Sequence, residues 1–360
     1  MFSKNDSISL EEVLKRAFNN IGVYYYDVSV DFDMCKIYID DAPDSIKILG
    51  REEMSQSYFN KVKTIIRSHL PNDYRLLPQD EIQLESTERN KRLVIHFELV
   101  ESKRINGAKV VTTGYEIPLM KDVYWDVSKQ PHAIVTGVTG SGKSMLINYL
   151  FKQFQYMDAD IYAIDPKFAD LYILGKNKLK VGQYASEKVE SLELLQQLNQ
   201  ILTVRQKLLS SKNKIGLDAY KDGMRPIVLF FDELAAFKDS LENKQEKDAY
   251  NSYLKNLVLK GRSAGINVVL SLQKPLAEDI PTSVRDQLGF RLVLGRNTSE
   301  DTKKLIFGIN DKNVLVTEET EIKDDWQTVT LSQYDGWYSL PNMFEKFRVF
   351  ETPNLKELKL

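Results

Sequence analysis

The sequence contains few of the residues that build covalent or metal-bound frameworks. A single cysteine, Cys35, occurs among 360 residues, which excludes an intrachain disulfide and a Cys-x-x-Cys zinc site. The three histidines, His69, His96 and His132, are scattered, so a histidine-rich metal centre is not expected either. His132 comes directly before a predicted strand, and we interpret it as a structural residue.

Long apolar runs and a strong net charge are also lacking. The longest apolar runs, such as IVLFF (227–231), are strand-sized and far shorter than the roughly 18 residues of a membrane helix. The start, MFSKNDSISLEEV, has no apolar signal-peptide core, so we expect a cytoplasmic protein that only partners would recruit to a membrane. A net charge of −2 argues against a general polyanion binder, and any basic surface must be local.

The order of predicted elements divides the chain near residue 105. The helix LEEVLKRAFNN, aromatic-rich strands and a helix over 55–70 predict a small N-terminal α+β domain over residues 1–105. From 106 to 360, short apolar strands alternate with amphipathic helices. This alternation predicts an α/β domain with a mostly parallel sheet covered on both faces.

The stretch HAIVTGVTGSGKS (132–144) matches the pattern G-x-x-x-x-G-K-[ST] at every required position. Such a loop curls its backbone N–H groups around phosphate oxygens at a helix N-terminus. A simple glycine-rich turn is the alternative, but the stretch lies between a predicted strand and a predicted helix. We therefore predict an ATP site formed by Gly137, Val138, Thr139, Gly140, Ser141, Gly142, Lys143 and Ser144. Lys143 would contact the β- and γ-phosphates, and Ser144 would bind Mg²⁺.

Two carboxylates follow the apolar strand of PIVLFFDELAAF. Asp232 is predicted to hold the magnesium ion, and Glu233 to activate the attacking water. A solvated helix cap is the alternative for this pair. A glutamate here and the lack of an N-K-x-D motif argue against the small GTPases.

A glutamine ends another apolar strand in INVVLSLQKP. In a parallel sheet, this end faces the same crevice as the phosphate loop. Gln273 is therefore predicted to sense the γ-phosphate or the water, and a solvated glutamine is the alternative.

Four stretches in this order resemble the motor domain of the FtsK/SpoIIIE DNA translocases and the related coupling ATPases of conjugative plasmids and transposons. They are IPLMKDVYWDVSKQPHAIVTGVTGSGKS, AIDPKFADL, FFDELAAF and KGRSAGINVVLSLQKP. The resemblance covers about residues 115–352. It implies a RecA-like P-loop ATPase over 106–360 that forms a ring, expected to be a hexamer, and pulls double-stranded DNA through its centre.

The resemblance also implies that an arginine from a neighbouring subunit completes each ATP site. Such an arginine supplies positive charge to the transferring phosphoryl group. Arg262 in KGRSAG is the first candidate, followed by Arg291 and Arg296 in FRLVLGRN. An ordinary surface ion pair is the alternative for each of them.

Two loops are candidates for contacting DNA in such a ring, and solvated surface loops are the alternative. Lysines and hydroxyls bind phosphate without reading bases, which suits movement over any sequence. The candidates are Lys167, Lys176, Lys178 and Lys180 in one loop and Thr282, Ser283 and Arg285 in the other.

The chain departs from the large members of this family, because it lacks their membrane helices, long linker and winged-helix module. We therefore expect a compact motor of a mobile element, recruited by a relaxase or a membrane-anchored partner. A protein-secretion motor of the same superfamily is the first alternative. A non-catalytic nucleotide-dependent scaffold is the second, although Lys143, Asp232 and Glu233 are all present.

Overall fold

The computed structural model describes most of the chain from residue 102 onward and parts of the chain before it. The described residues fall into two compact units, one within residues 1–102 and one that begins at Lys103. The structure describes residues 4–20, 27–32, 34, 36–40, 62, 65–66, 74–76, 82–86, 91–99, 102–276, 278–295, 297–309, 334–341, 343, 347–355 and 358.

The first unit combines a helix with an antiparallel sheet. Its elements are α1 (Lys4–Asn20), β1 (Asp27–Asp31), β2 (Lys36–Asp40), β3 (Tyr74–Leu76), β4 (Ile82–Ser86) and β5 (Lys91–Leu99). The strands follow the order β1–β2–β5–β3, and β4 also pairs with β5. Leu10, Leu14 and Phe18 recur every four residues of α1 and join alternate residues of β1 and β2 in one core. The predicted α+β pattern is confirmed, while the predicted helix over 55–70 lies outside the described residues except at 62, 65 and 66.

The second unit is built on an eight-stranded sheet. Its strands are β8 (His132–Gly137), β9 (Asp160–Ile164), β10 (Tyr184–Ala185), β11 (Ile227–Phe231), β12 (Ile266–Leu272), β13 (Phe290–Leu294), β14 (Gly336–Ser339) and β15 (Arg348–Phe350). A separate hairpin pairs β6 (Glu116–Met120) with β7 (Val123–Asp126). The helices are α2 (Lys143–Tyr156), α3 (Asp170–Lys178), α4 (Lys188–Ser211), α5 (Leu234–Ser240), α6 (Lys244–Lys260), α7 (Thr282–Arg285) and α8 (Glu300–Phe307).

The strand order in this sheet is β10–β9–β11–β12–β8–β13–β14–β15. All neighbours from β10 to β13 are parallel, whereas β14 and β15 are antiparallel additions at one side. Every residue of β8, β11 and β12 is buried, as expected for strands covered by helices on both faces. The predicted α/β fold with a mostly parallel sheet is confirmed.

One helix boundary differs from the prediction because of a capping side chain. The sequence predicts a helix over 248–265, but α6 starts at Lys244. The side chain of Asn243 accepts the N–H of Glu246 at 2.9 Å, which satisfies a free donor of the first turn. The helix ends at Lys260, and a 3₁₀ turn over Arg262–Ala264 leads into β12.

Candidate functional site

The carboxyl ends of the parallel strands meet at one edge of the sheet. β8 ends at Gly137, β12 ends at Leu272 directly before Gln273, and β11 ends at Phe231 directly before Asp232. In the strand order, β12 lies between β8 and β11. The predicted phosphate loop, the two carboxylates and Gln273 therefore share this edge. The strand that ends at Gln273 lies between the strand of the phosphate loop and the strand of the carboxylates.

The glycine-rich loop has the conformation of a phosphate-binding turn. The angle φ is 80° at Gly140 and 89° at Gly142, in the left-handed region that favours glycine. α2 begins at Lys143, so its free N–H groups and its dipole point toward the loop. The Ser141 hydroxyl is buried and has no hydrogen-bond partner in the part of the chain that the structure describes. Free N–H groups and an unpartnered buried hydroxyl fit a bound triphosphate.

Three predicted site residues form an ion-pair cluster beside this loop. Lys143 Nζ donates to Asp232 Oδ1 at 2.8 Å and to Glu233 Oε1 at 2.9 Å. Lys167 Nζ donates to the other oxygen of Glu233, Oε2, at 2.8 Å. The sequence predicts Lys167 as a DNA contact, whereas the structure places its ammonium on the candidate general base. Lys143 and Glu233 are both buried, so their attraction is only weakly screened by water.

An unusual backbone conformation lets two consecutive carboxylates reach the same lysine. Glu233 lies in the left-handed region with φ 48° and ψ 52°, directly before α5 begins at Leu234. Its N–H donates to Asp232 Oδ1 at 3.0 Å. Along an extended strand, neighbouring side chains would point to opposite faces. Such strained conformations in non-glycine residues concentrate at functional sites.

Gln273 lies next to the phosphate loop, as the parallel-sheet argument predicts. Its Oε1 is 3.5 Å from Oγ1 of Thr139. This long, solvent-exposed contact is weak by hydrogen-bond standards. It nevertheless shows that the end of β12 and the loop after β8 are within side-chain reach of each other.

Asp165 is a site residue that the sequence analysis did not single out. It is fully buried directly after β9, and its carboxylate accepts the N–H groups of Lys167, Ala169 and Tyr172 at 3.1, 3.0 and 3.2 Å. Burial raises the pKa of the Asp165 carboxyl group. The signal was present in the sequence, since DIYAID ends in an aspartate after an apolar strand just as IVLFFD does. Asp165 fixes the turn from which Lys167 reaches Glu233.

The first candidate arginine, Arg262, lies away from the site of its own chain. Arg262 is exposed in the 3₁₀ turn before β12, at the amino edge of the sheet. β12 contains seven residues, which puts Arg262 on the order of 23 Å from the edge that carries Gln273. Arg291 is half-buried and donates to the carbonyl groups of Leu288, Ile306 and Arg285 at 2.9, 2.9 and 3.1 Å, so its guanidinium binds backbone of its own chain and forms no surface ion pair with a described residue. Arg296 lies outside the described residues.

The remaining candidates for DNA contacts are on the surface. Lys176 and Lys178 are exposed in the last turn of α3, and Lys180 is exposed just beyond it. Thr282 and Ser283 are exposed at the start of α7, where Arg285 is half-buried. α3 follows the β9 turn and α7 follows the Gln273 loop, so both helices come from the edge that carries the candidate site.

Metal-binding clusters, membrane-spanning helices and the buried His132 are the remaining features of the described residues. Within them, no cluster of three or more His, Cys, Asp or Glu side chains is arranged to hold a metal ion. Ser144 and Asp232, the predicted magnesium ligands, provide the hard oxygen atoms that magnesium prefers. No described helix is both long and apolar enough to span a bilayer. His132 is buried as the first residue of β8, consistent with a structural role.

The fold and this edge define a class of protein, the P-loop nucleoside triphosphatases. Within that class, the model of the FtsK/SpoIIIE family matches residues 103–306, which is more than half of the chain. The chain therefore belongs to the FtsK/SpoIIIE family, as the sequence motifs predict. Family and fold together indicate an ATPase.

Two curated relatives are each similar to more than half of this chain. The FtsK domain-containing protein YdcQ of Bacillus subtilis is 32% identical over 222 residues, covering 61% of this chain and 46% of YdcQ. The DNA translocase FtsK of Clostridium acetobutylicum is 25% identical over 335 residues, covering 84% of this chain and 41% of the relative. This chain thus spans less than half the length of either relative.

Solved structures share the fold at low sequence identity. The pCW3 conjugation coupling protein TcpA, in a monomer form with ATPγS, has a TM-score of 0.57 and 17% identity, covering 96% of this chain and 95% of TcpA. EssC (ATPases 2 and 3) from Geobacillus thermodenitrificans has a TM-score of 0.52 and 13% identity, covering 71% and 47% of the respective chains. These likenesses confirm the architecture of a P-loop motor.

Proposed function

We propose that this chain is the motor of a DNA translocase, in which a ring of subunits uses ATP to move double-stranded DNA. The strongest support is the combination of FtsK/SpoIIIE membership with a complete set of nucleotide-handling residues at one sheet edge. Lys143, Asp232 and Glu233 are all present, and the Lys143 ammonium is within hydrogen-bonding distance of both carboxylates. A non-catalytic scaffold would have no need of this set.

Each residue at the edge has a chemical role in this proposal. The backbone from Gly137 to Ser144 cradles the phosphates, and Lys143 neutralises charge on the β- and γ-phosphates. Magnesium would be held by Ser144 and Asp232 and would supply further positive charge. Glu233 accepts a proton from the attacking water, and Gln273 senses whether the γ-phosphate is present.

The position of Arg262 supports the proposed ring. Arg262 lies at the sheet edge opposite to the phosphate loop of its own chain, so a role in hydrolysis would require the site of another subunit. In a closed ring, the same surfaces meet repeatedly and every site receives such an arginine. We propose six subunits, as the family resemblance implies.

The proposed polymer is double-stranded DNA, held through its phosphates. Lys176, Lys178 and Lys180 provide exposed positive charge, and Thr282 and Ser283 provide hydroxyl donors. These groups suit binding that ignores base sequence. The net charge of −2 means that the attraction must be confined to such patches.

The biological setting that we propose is conjugative transfer or segregation of a mobile element. TcpA, a conjugation coupling protein, shares the fold over nearly the whole of both chains. A relaxase or a membrane-anchored protein would then recruit this cytoplasmic motor to its place of action. Protein secretion is the alternative, because EssC shares the fold over part of its length.

The test measures ATP turnover by the purified protein with added duplex DNA or added unfolded peptide. Stimulation by duplex DNA supports translocation, whereas stimulation by peptide alone would support the secretion alternative. Electron microscopy of Glu233→Gln with ATP and duplex DNA should show rings threaded by DNA. A protein that stays monomeric and whose turnover ignores DNA would refute the proposal.

A further inference from the structure

An exposed aromatic side chain lies against the phosphate loop without a role in the proposed chemistry. Tyr334 is 49% exposed and directly precedes Asp335 and β14. A Cβ atom placed on Gly142 would lie 3.2 Å from Cδ1, 3.6 Å from Cβ and 3.8 Å from Cγ of Tyr334. The ring is therefore in contact with the glycine that precedes Lys143.

The backbone that carries this ring is held firmly although the ring itself is exposed. The buried Asp335 carboxylate accepts two bonds from Arg104 Nη2, each 2.8 Å, and the N–H of Thr352 at 3.0 Å. The Asp335 carbonyl accepts the N–H of Gly295 at 2.8 Å, and the Thr352 hydroxyl donates to the Tyr334 carbonyl. These contacts place the ring beside the loop in a fixed position, which lowers the entropic cost of using it for binding.

The position of Tyr334 in the sheet points to one end of the nucleotide. β14 is antiparallel to β13 with Gly336 opposite Leu294, so the residues before Gly336 lie at the carboxyl edge that carries the site. Tyr334 is on the β13 side of β8, whereas Asp232 and Glu233 follow β11 on the other side. The carboxylates mark the γ-phosphate end of a bound nucleotide. The nucleoside end is therefore expected on the side of Tyr334.

We propose that Tyr334 binds the nucleobase by stacking its ring on the base. Stacking uses the face of a π system, which fits a half-exposed ring on a rigid backbone. The inference rests on the proposed ATP binding and adds a residue that contacts the base. The alternative is that the ring only covers Gly142 and supports the shape of the loop.

The test compares the affinities for ATP and for inorganic tripolyphosphate, measured by calorimetry. Tyr334→Ala should weaken ATP binding roughly 10-fold or more, the range of one aromatic–base stack, and leave tripolyphosphate binding unchanged. Tyr334→Phe should keep the parent affinity for both ligands, because the ring is retained. Tyr124→Ala removes a tyrosine of similar exposure, 51%, and is the matched control with no expected effect.

Each outcome separates this inference from the proposed function. Equal weakening of both ligands in Tyr334→Ala would show that the ring supports the loop and does not bind the base. Parent-like affinity of Tyr334→Ala for both ligands would also overturn the inference while leaving the ATPase proposal intact. If the parent protein bound neither ligand, the proposed function itself would fail, and the inference with it.

Discussion

Replacing Lys143 by alanine is expected to destabilise the second unit as well as to prevent nucleotide binding. The Lys143 ammonium is 2.8 Å from Asp232 and 2.9 Å from Glu233, and these side chains are 9%, 17% and 9% exposed. Without the ammonium, two neighbouring carboxylates would face each other with like charge in a poorly hydrated place.

The size of this destabilisation depends on the hydrogen-bond partners that Asp232 and Glu233 retain without Lys143. Removing one partner of a buried ion pair costs about 3–5 kcal/mol. The lower end applies here, because Glu233 keeps Lys167 at 2.8 Å and Asp232 keeps the N–H of Glu233 at 3.0 Å. We expect the free energy of unfolding to fall by about 3 kcal/mol. For a unit of this size, that loss lowers the melting temperature by roughly 6–12 °C.

Thermal unfolding without added nucleotide, followed by calorimetry, measures this effect. The double variant Lys143→Ala/Glu233→Gln should recover part of the loss, because a neutral amide removes the like-charge repulsion. Gln155→Ala at an exposed position of the same helix is the control and should change the stability by less than about 0.5 kcal/mol. The reasoning is refuted if Lys143→Ala melts at the parent temperature, or if the double variant is no more stable than the single one.

Three further predictions concern catalysis, subunit contact and pH. Glu233→Gln should bind ATP with the parent affinity but hydrolyse it at least about 100-fold more slowly, and parent-like turnover would refute the general-base role. Arg262→Ala should lose ATP hydrolysis and keep ATP binding. If the arginine acts between subunits, mixing this variant with inactive Lys143→Ala should restore some turnover, because one variant keeps the phosphate loop and the other keeps the arginine. Burial lowers the pKa of His132 to about 3, so the unfolded chain binds an extra proton between this pKa and its ordinary value of about 6.5. The free energy of unfolding should therefore decrease as the pH falls below 6.5, by up to about 1.4 kcal/mol per pH unit. Chemical unfolding at pH 7 and at pH 5 measures this decrease, which should be smaller in His132→Gln than in the parent protein.

Much of the candidate site was predictable because its residues follow apolar strands. In a parallel sheet, every such residue arrives at the same edge regardless of strand order. This is why Gly137, Asp232 and Gln273 could be placed together from the sequence, and the 3.5 Å approach of Thr139 to Gln273 agrees with that placement. Asp165 obeys the same rule and could have been found by applying it to β9.

The contacts of Lys167 and Tyr334 could not be predicted, because they depend on which strands are neighbours and in which direction they run. Lys167 reaches Glu233 only because β9 pairs with β11. Tyr334 reaches the phosphate loop only because β14 runs antiparallel to β13. The residues that precede β14 therefore lie at the edge where the parallel strands end. Apolar periodicity identifies a strand but contains no information on its neighbour or its direction.

The turn that carries Lys167 connects the proposed DNA-binding helix α3 with the proposed catalytic residue Glu233. Ile164 accepts the N–H of Asp232 at 2.9 Å, so the turn after β9 is tied to the strand that delivers both carboxylates. Lys167 leaves this turn to bind Glu233, and α3 begins three residues later, at Asp170. If DNA binds the exposed lysines of α3, as proposed, a force on them would act on the turn that holds the partner of the proposed general base. We therefore expect Lys167→Ala to weaken the stimulation of ATP turnover by DNA more than it weakens turnover without DNA.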